Sequence, residues 1–149
     1  MPDTDLFALL NVLIVLVLLP LIVWATLLAL RAALRGSKAR SVFLIAPHDD
    51  FGARLERWSR AHGYAAARTA DGIIHLQQEQ DNELKAMPRL QIYRLETRWQ
   101  VEAWLDFYVP LARCEIAPDT ANRLGRYLCR AFRTEVNLLL QLLEHPEMP

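Results

Sequence analysis

The chain reads as an α+β protein: a single N-terminal transmembrane helix followed by a small two-layer domain of antiparallel strands packed against an amphipathic C-terminal helix. Three observations predict this. Leu6 to Leu30 contains no charged residue, Trp99 to Val109 alternates apolar and polar positions, and the stretch after Pro118 carries apolar residues at helical spacing.

The uncharged run comes first. About 20 apolar residues cross a hydrocarbon core about 30 Å thick. A backbone surrounded by lipid must satisfy its own hydrogen bonds, which a single segment achieves only as a helix. A cleaved signal peptide would begin with basic residues and carry a shorter apolar stretch. This sequence begins with Asp3 and Asp5, so the run is predicted to be an anchor. Residues 1–35 therefore form the anchor and its flanks, 36–40 a short polar linker, and 41–149 a soluble domain held close to the membrane surface.

Charge sets the expected direction. Arg31, Arg35, Lys38 and Arg40 follow the helix, and positive flanks remain on the cytoplasmic side. The N-terminus is thus expected outside and the C-terminal domain inside, with Trp24 and Arg31 as anchors at the interface. Pro20 lacks a backbone donor and is expected to kink the helix. Asn11 either bonds across to a neighbouring helix or lies near enough to the interface to meet water.

Composition narrows the rest. Residues 41–149 hold 13 basic and 15 acidic side chains, a balance that gives no electrostatic basis for nucleic-acid binding. Arginine far outnumbers the two lysines, Lys38 and Lys85, a composition associated with GC-rich bacterial genomes. Cys114 and Cys129 stand far apart without a Cys-x-x-Cys pattern, so both are expected as free thiols in a reducing compartment.

Within the domain, Ser41–Ala46 is a short apolar run, a strand or a membrane-facing segment, ended by Pro47. Asp49 or Asp50 is expected to cap a helix reaching His62, with Phe51, Leu55, Trp58 and His62 inward and Gly63 as its stop. Tyr64–Thr69 and Ile73–Gln78 flank Ala70-Asp71-Gly72 as a hairpin. Gln77–Glu83 is an exposed end, and Arg89–Thr97 a third strand. In the fourth, Trp99, Val101, Ala103, Leu105, Phe107 and Val109 face one way, while Gln100, Glu102, Asp106 and Tyr108 face the other. Such alternation implies one covered face. The cover is a helix from Asp119, as N-cap, to about Glu144. Its apolar side carries Leu124, Leu128, Ala131, Phe132, Leu139 and Leu143. Arg123, Arg126, Arg130 and Arg133 form a stripe opposite.

Phe43-Leu-Ile-Ala-Pro-His-Asp-Asp50 resembles the strand-end motif of LmbE-like zinc deacetylases over about eight residues. The resemblance implies His48 and an Asp as zinc ligands and a second Asp as base. The second Pro and the following Glu of that motif are missing, no third ligand is evident, and the domain is too small for that fold. Helix capping is therefore the preferred reading of Asp49 and Asp50, with no metal and no cofactor expected.

Trp58 and Trp99 belong to inward faces. Trp104 falls on the outward face of its strand, where a large ring needs a cover: a partner, a helix or the membrane. Glu102 and Asp106 beside it are expected on a solvated strand face. The arginine stripe is either a solvated helix face or a contact for anionic lipid headgroups or an acidic partner.

No catalytic constellation is expected from these residues. The sequence predicts a non-catalytic accessory or assembly subunit of a bacterial inner-membrane complex, with integral membrane proteins as partners. Its expected contacts are Asn11, Pro20, Trp24, Arg31, Arg35, Trp104, Arg123, Arg126, Arg130 and Arg133. The alternative is a membrane-tethered module that binds a ligand or lipid.

Overall fold

The computed structural model describes residues 3–34, 38–78, 86–109 and 112–148, apart from the side chains of 3–11, 30, 31, 33, 34, 109 and 112. The side chains of Asn11 and Arg31, the whole of Arg35, and residues 79–83 of the expected exposed hairpin end lie outside the described residues. Two compact units divide the chain between residues 35 and 36.

The first unit is α1, Asp3–Leu34, a helix that runs on through Pro20. Its Val12–Ala29 segment is long and apolar enough to cross a membrane. From Val12 to Trp24 every large apolar side chain is 42–66% exposed. The Thr26 hydroxyl donates back to the carbonyls of Ile22 and Val23, which leaves it satisfied within its own helix.

The second unit holds six strands: β1 (Ser41–Ile45), β2 (Ala65–Arg68), β3 (Ile74–Gln77), β4 (Met87–Arg94), β5 (Trp99–Val109) and β6 (Ala112–Ile116). All pairings are antiparallel. The run β2–β3–β4–β5 is a meander. The other side of β5 is shared end to end: β1 pairs with Trp99–Ala103 and β6 with Leu105–Val109. β1 and β6 thus meet beside Trp104, where the Ala117 amide donates to the Lys38 carbonyl at 2.9 Å.

Alternation then sorts the sheet into two faces. Phe43, Ile45, Leu76, Leu90, Ile92, Val101, Ala103, Leu105, Phe107 and Ile116 are buried on the covered face. Against them lie α2 (Phe51–Ala61), α3 (Arg123–Leu128) and α4 (Arg130–Leu142). Phe51 stacks on Trp99 at 4.3 Å, and Trp58 lies between the rings of His62 and Tyr64. The Tyr64 hydroxyl donates to Glu135 of α4, and burial pushes its pKa well above the ordinary tyrosine value. Gly63 and Gly72 take positive φ, as expected of a helix stop and a hairpin turn.

Ser41–Ile45 is a strand, one of the two forms expected of that run. Several other expectations are corrected. β4 ends at Arg94, because residues 95–98 form a turn closed by the Leu95 amide on the Arg98 carbonyl. β6 was not foreseen: it is only five residues long and lies between Pro110 and Pro118. Asp50 sits at the N-cap position of α2 but makes no capping bond. Its carboxylate accepts from Arg54 Nε at 2.7 Å, and that guanidinium holds Asp50 below the usual carboxylate range. His62 is half-buried, its Nδ1 near the Trp58 carbonyl.

The C-terminal helix does not start at Asp119 and is not continuous. The Asp119 carboxylate is taken by Ser41 and Lys38, and Asn122 caps α3 by accepting from the amides of Leu124 and Gly125. The run breaks at Cys129 into α3 and α4. A Cβ at Gly125 would lie 2.6 Å from Thr120 Cγ2 and 3.3 Å from Ile116 Cγ2. Glycine is therefore what lets α3 press onto the end of β6. Phe132, Leu139 and Leu143 are buried as expected, Leu124 and Leu128 only half, and Ala131 is exposed.

Candidate functional site

Among the described residues of the second unit, α2, α3 and α4 all lie on the covered face, and no helix of that unit covers the second face of the sheet. Pairing register brings Gln100, Glu102, Trp104 and Asp106 of β5 beside Arg89, Gln91 and Tyr93 of β4 and Glu115 of β6. His75 lies opposite Gln91. These are the outward positions of an alternating pattern, yet their centre is dry. Trp104 is only 4% exposed and Asp106 is 0% exposed.

Arginines provide the cover. The Arg40 guanidinium lies 4.1 Å from the Trp104 ring centroid, a cation–π contact over the indole face. Its Nε donates to Glu115 at 3.1 Å, and its Nη1 donates to Glu102 at 3.1 Å and to Gln91 at 3.3 Å. Burial opposes the charge on Arg40, but these two carboxylates outweigh it and raise its pKa above the ordinary arginine value. Arg40 can reach all three groups because it is the residue just before β1, at the junction where β1 and β6 meet.

Asp106 forms a second centre. Arg113 binds it with two parallel hydrogen bonds of 2.8 Å, the bidentate geometry a guanidinium offers a carboxylate. Arg89 Nε lies 3.0 Å from Oδ2, an ion pair whose N–H is not aligned for a hydrogen bond. A buried carboxylate is costly unless paired, and here two arginines share it. Between the two centres lies a shallow depression of about 250 Å³ lined by Arg40, His75, Gln77, Arg89, Trp104 and Arg113, among others.

This arrangement corrects two expectations. Trp104 does lie on the outward face, but it is not an exposed ring awaiting a partner: Arg40 of its own chain covers it. Glu102 and Asp106 are not on a solvated strand. Glu102 is half-buried against Arg40, and Asp106 is fully buried. The polar face of β5 was visible in the sequence, but its coverage was not, since Arg40 reads as part of a linker.

Arg123, Arg126, Arg130 and Arg133 do not line this depression. Pro20 and Trp24 lie in α1, with Trp24 62% exposed. Arg123 and Arg126 belong to α3 and Arg130 and Arg133 to α4, so the stripe is split between two helices. Arg123, Arg126 and Arg130 are exposed, and Arg133 is half-buried. None of the four joins an ion pair among the described residues.

The segment that resembles the deacetylase motif borders a different depression, where His48 and Asp49 lie with Phe51, Arg98 and Trp99. Asp50 is committed to Arg54. Among the described residues no group of three His, Cys, Asp or Glu side chains is placed to hold a metal ion. No protein-family model, curated protein or solved structure matches the chain.

Proposed function

We propose that the chain is a single-pass membrane protein that serves as a non-catalytic accessory or assembly subunit of a bacterial inner-membrane complex. The observation that carries this reading is the exposed apolar surface of α1. Its large apolar side chains from Val12 to Trp24 are 42–66% exposed, and such a continuous surface is stable only in lipid or against other helices. The basic residues that follow, Arg31 to Arg40, favour a cytoplasmic domain. Asn11 supplies a polar group for a neighbouring helix, and the partner is accordingly an integral membrane protein.

Purification of the full chain in mild detergent tests this. A stoichiometric membrane-protein partner is expected, and Asn11→Leu is expected to weaken its retention while leaving the chain in the membrane fraction. A wild-type chain that runs alone at monomer size would reject the reading.

A second reading, a lipid-binding module, is favoured by one observation: Arg123, Arg126 and Arg130 are exposed and without acidic partners among the described residues. Charges near an anionic surface contribute about 1 kcal/mol each. Residues 36–149 are then expected to float with anionic vesicles and to lose that binding in Arg126→Glu/Arg130→Glu. Equal flotation with neutral vesicles counts against it.

A further inference from the structure

The hydrogen-bond accounting of the open sheet face is lopsided. The carboxylates of Glu115 and Asp106 and the Gln91 carbonyl, in and under the depression, are already engaged. Both Glu115 oxygens accept from Arg40, and both Asp106 oxygens are held by Arg113, with Arg89 beside one of them. The Gln91 carbonyl accepts from Arg40 and from the Tyr93 hydroxyl. That fixes the Gln91 amide the other way round, so its NH₂ faces His75 Nδ1 at 3.0 Å. Nδ1 must then be the accepting nitrogen, and the neutral imidazole carries its proton on Nε2, an assignment made from the network.

What remains are donors. The buried Trp104 Nε1 has no partner among the described residues. Arg113 uses Nε and Nη2 on Asp106, which leaves Nη1. Arg89 pairs with Asp106 through an Nε whose N–H is not aligned on it and reaches Met87 Sδ from Nη2 at 4.0 Å, which leaves Nη1 among the described residues. His75 Nε2–H and the Gln77 amide stand on the same lining. A buried donor left unmade costs about 1–3 kcal/mol, which applies here to Trp104 Nε1 and Arg89 Nε; with the exposed donors on the same lining, they favour a ligand that only accepts.

We propose that this depression is a binding site for a phosphate group, with Trp104, Arg89, Arg113, His75 and Gln77 as donors. A single carboxylate offers about four lone-pair sites in one plane. A phosphate presents oxygens in several directions and can meet donors from around the rim. Asp106 and Glu115 hold the arginines in place. The proposal does not use the apolar surface of α1 on which the assembly reading rests, and either can fail without the other.

Titration calorimetry of the full chain in a nonionic detergent, with inorganic phosphate as the probe and chloride at matched ionic strength as control, tests the proposal. Saturable phosphate binding at one site is expected. Trp104→Phe keeps the ring under Arg40 and removes the N–H, and it is expected to weaken binding about tenfold. Gln77→Ala, at an exposed position that does not threaten folding, is expected to weaken it about threefold to tenfold. A second arm places the chain in nanodiscs of phosphatidylcholine with or without phosphatidic acid. Competition of phosphatidic acid with free phosphate would identify a lipid headgroup as the source, and its absence a soluble phosphate. No saturable binding of either, or binding that both variants leave unchanged, would overturn the site.

Discussion

On the covered face of β5, Val101, Ala103 and Leu105 are buried by other apolar side chains. On the open face of the same strand Trp104 and Asp106 are buried as deeply, but by arginines. Apolar burial is non-directional and scales with area removed from water. Burial of a carboxylate depends on each partner being in place, because an unpaired charge in a dry site is far costlier than a lost methylene. The covered face should therefore tolerate changes of shape, and the open face should not tolerate the loss of one ion.

The most severe test of this contrast is Asp106→Ala, which strands two guanidinium groups. It is expected to cost about 3–5 kcal/mol, toward the lower figure because both arginines keep some solvent, measured by urea unfolding of residues 36–149. Replacing Asp106, Arg89 and Arg113 together by leucine is expected to cost far less than the single change. An equal or larger loss in the triple variant would break the comparison. Leu105→Ala on the covered face is expected to cost about 2–4 kcal/mol, with a cavity as cause, and Leu105→Met under about 1.5 kcal/mol.

Smaller effects sharpen the picture at the helix layer. Gly125→Ala forces a Cβ to within 2.6 Å of Thr120, and a loss of about 1–3 kcal/mol is expected. Thr120→Ser in the same chain should recover part of it by removing the clashing methyl. Asn122→Ala removes the cap of α3 and is expected to cost about 1 kcal/mol.

The last prediction concerns pH. Burial pushes the Cys129 thiol up from 9.0 to about 12, and burial followed by the Glu135 bond raises Tyr64 as well. In both cases the folded state holds the proton more tightly than the unfolded chain. For Cys129 the stabilisation is thus complete below about 9 and is lost as pH rises toward 12, while for Tyr64 the loss begins only above its ordinary value of 10.0. Cys129→Ala is expected to flatten that decline in part, measured by thermal unfolding at fixed ionic strength across this range. An unchanged slope would show that the thiol is not sealed.

Much of this fold was readable because it rests on local spacing. An uncharged stretch from Leu6 to Leu30 calls for a helix, Asp71-Gly72 calls for a hairpin turn, and the alternation from Trp99 to Val109 separates two faces without reference to anything distant. Asn122 in place of Asp119 as the cap shows the limit of such reasoning. Both residue types suit that position, and only the competing bonds from Ser41 and Lys38 withdraw Asp119 from it.

The candidate site was less legible. Trp104 and Asp106 were visible as outward residues, but their burial depends on Arg40 and Arg113, and the Arg40 contacts lie 51–75 residues away in the chain. By itself the sequence determined the long apolar helix, the succession of strands from β2 to β5 and the two faces of β5, since periodicity acts over a few residues. Only the tertiary structure decided that β1 and β6 share one edge of β5. That meeting point lays Arg40 over Trp104, and the pairing of Asp106 with its arginines makes a polar strand face into a buried ionic site.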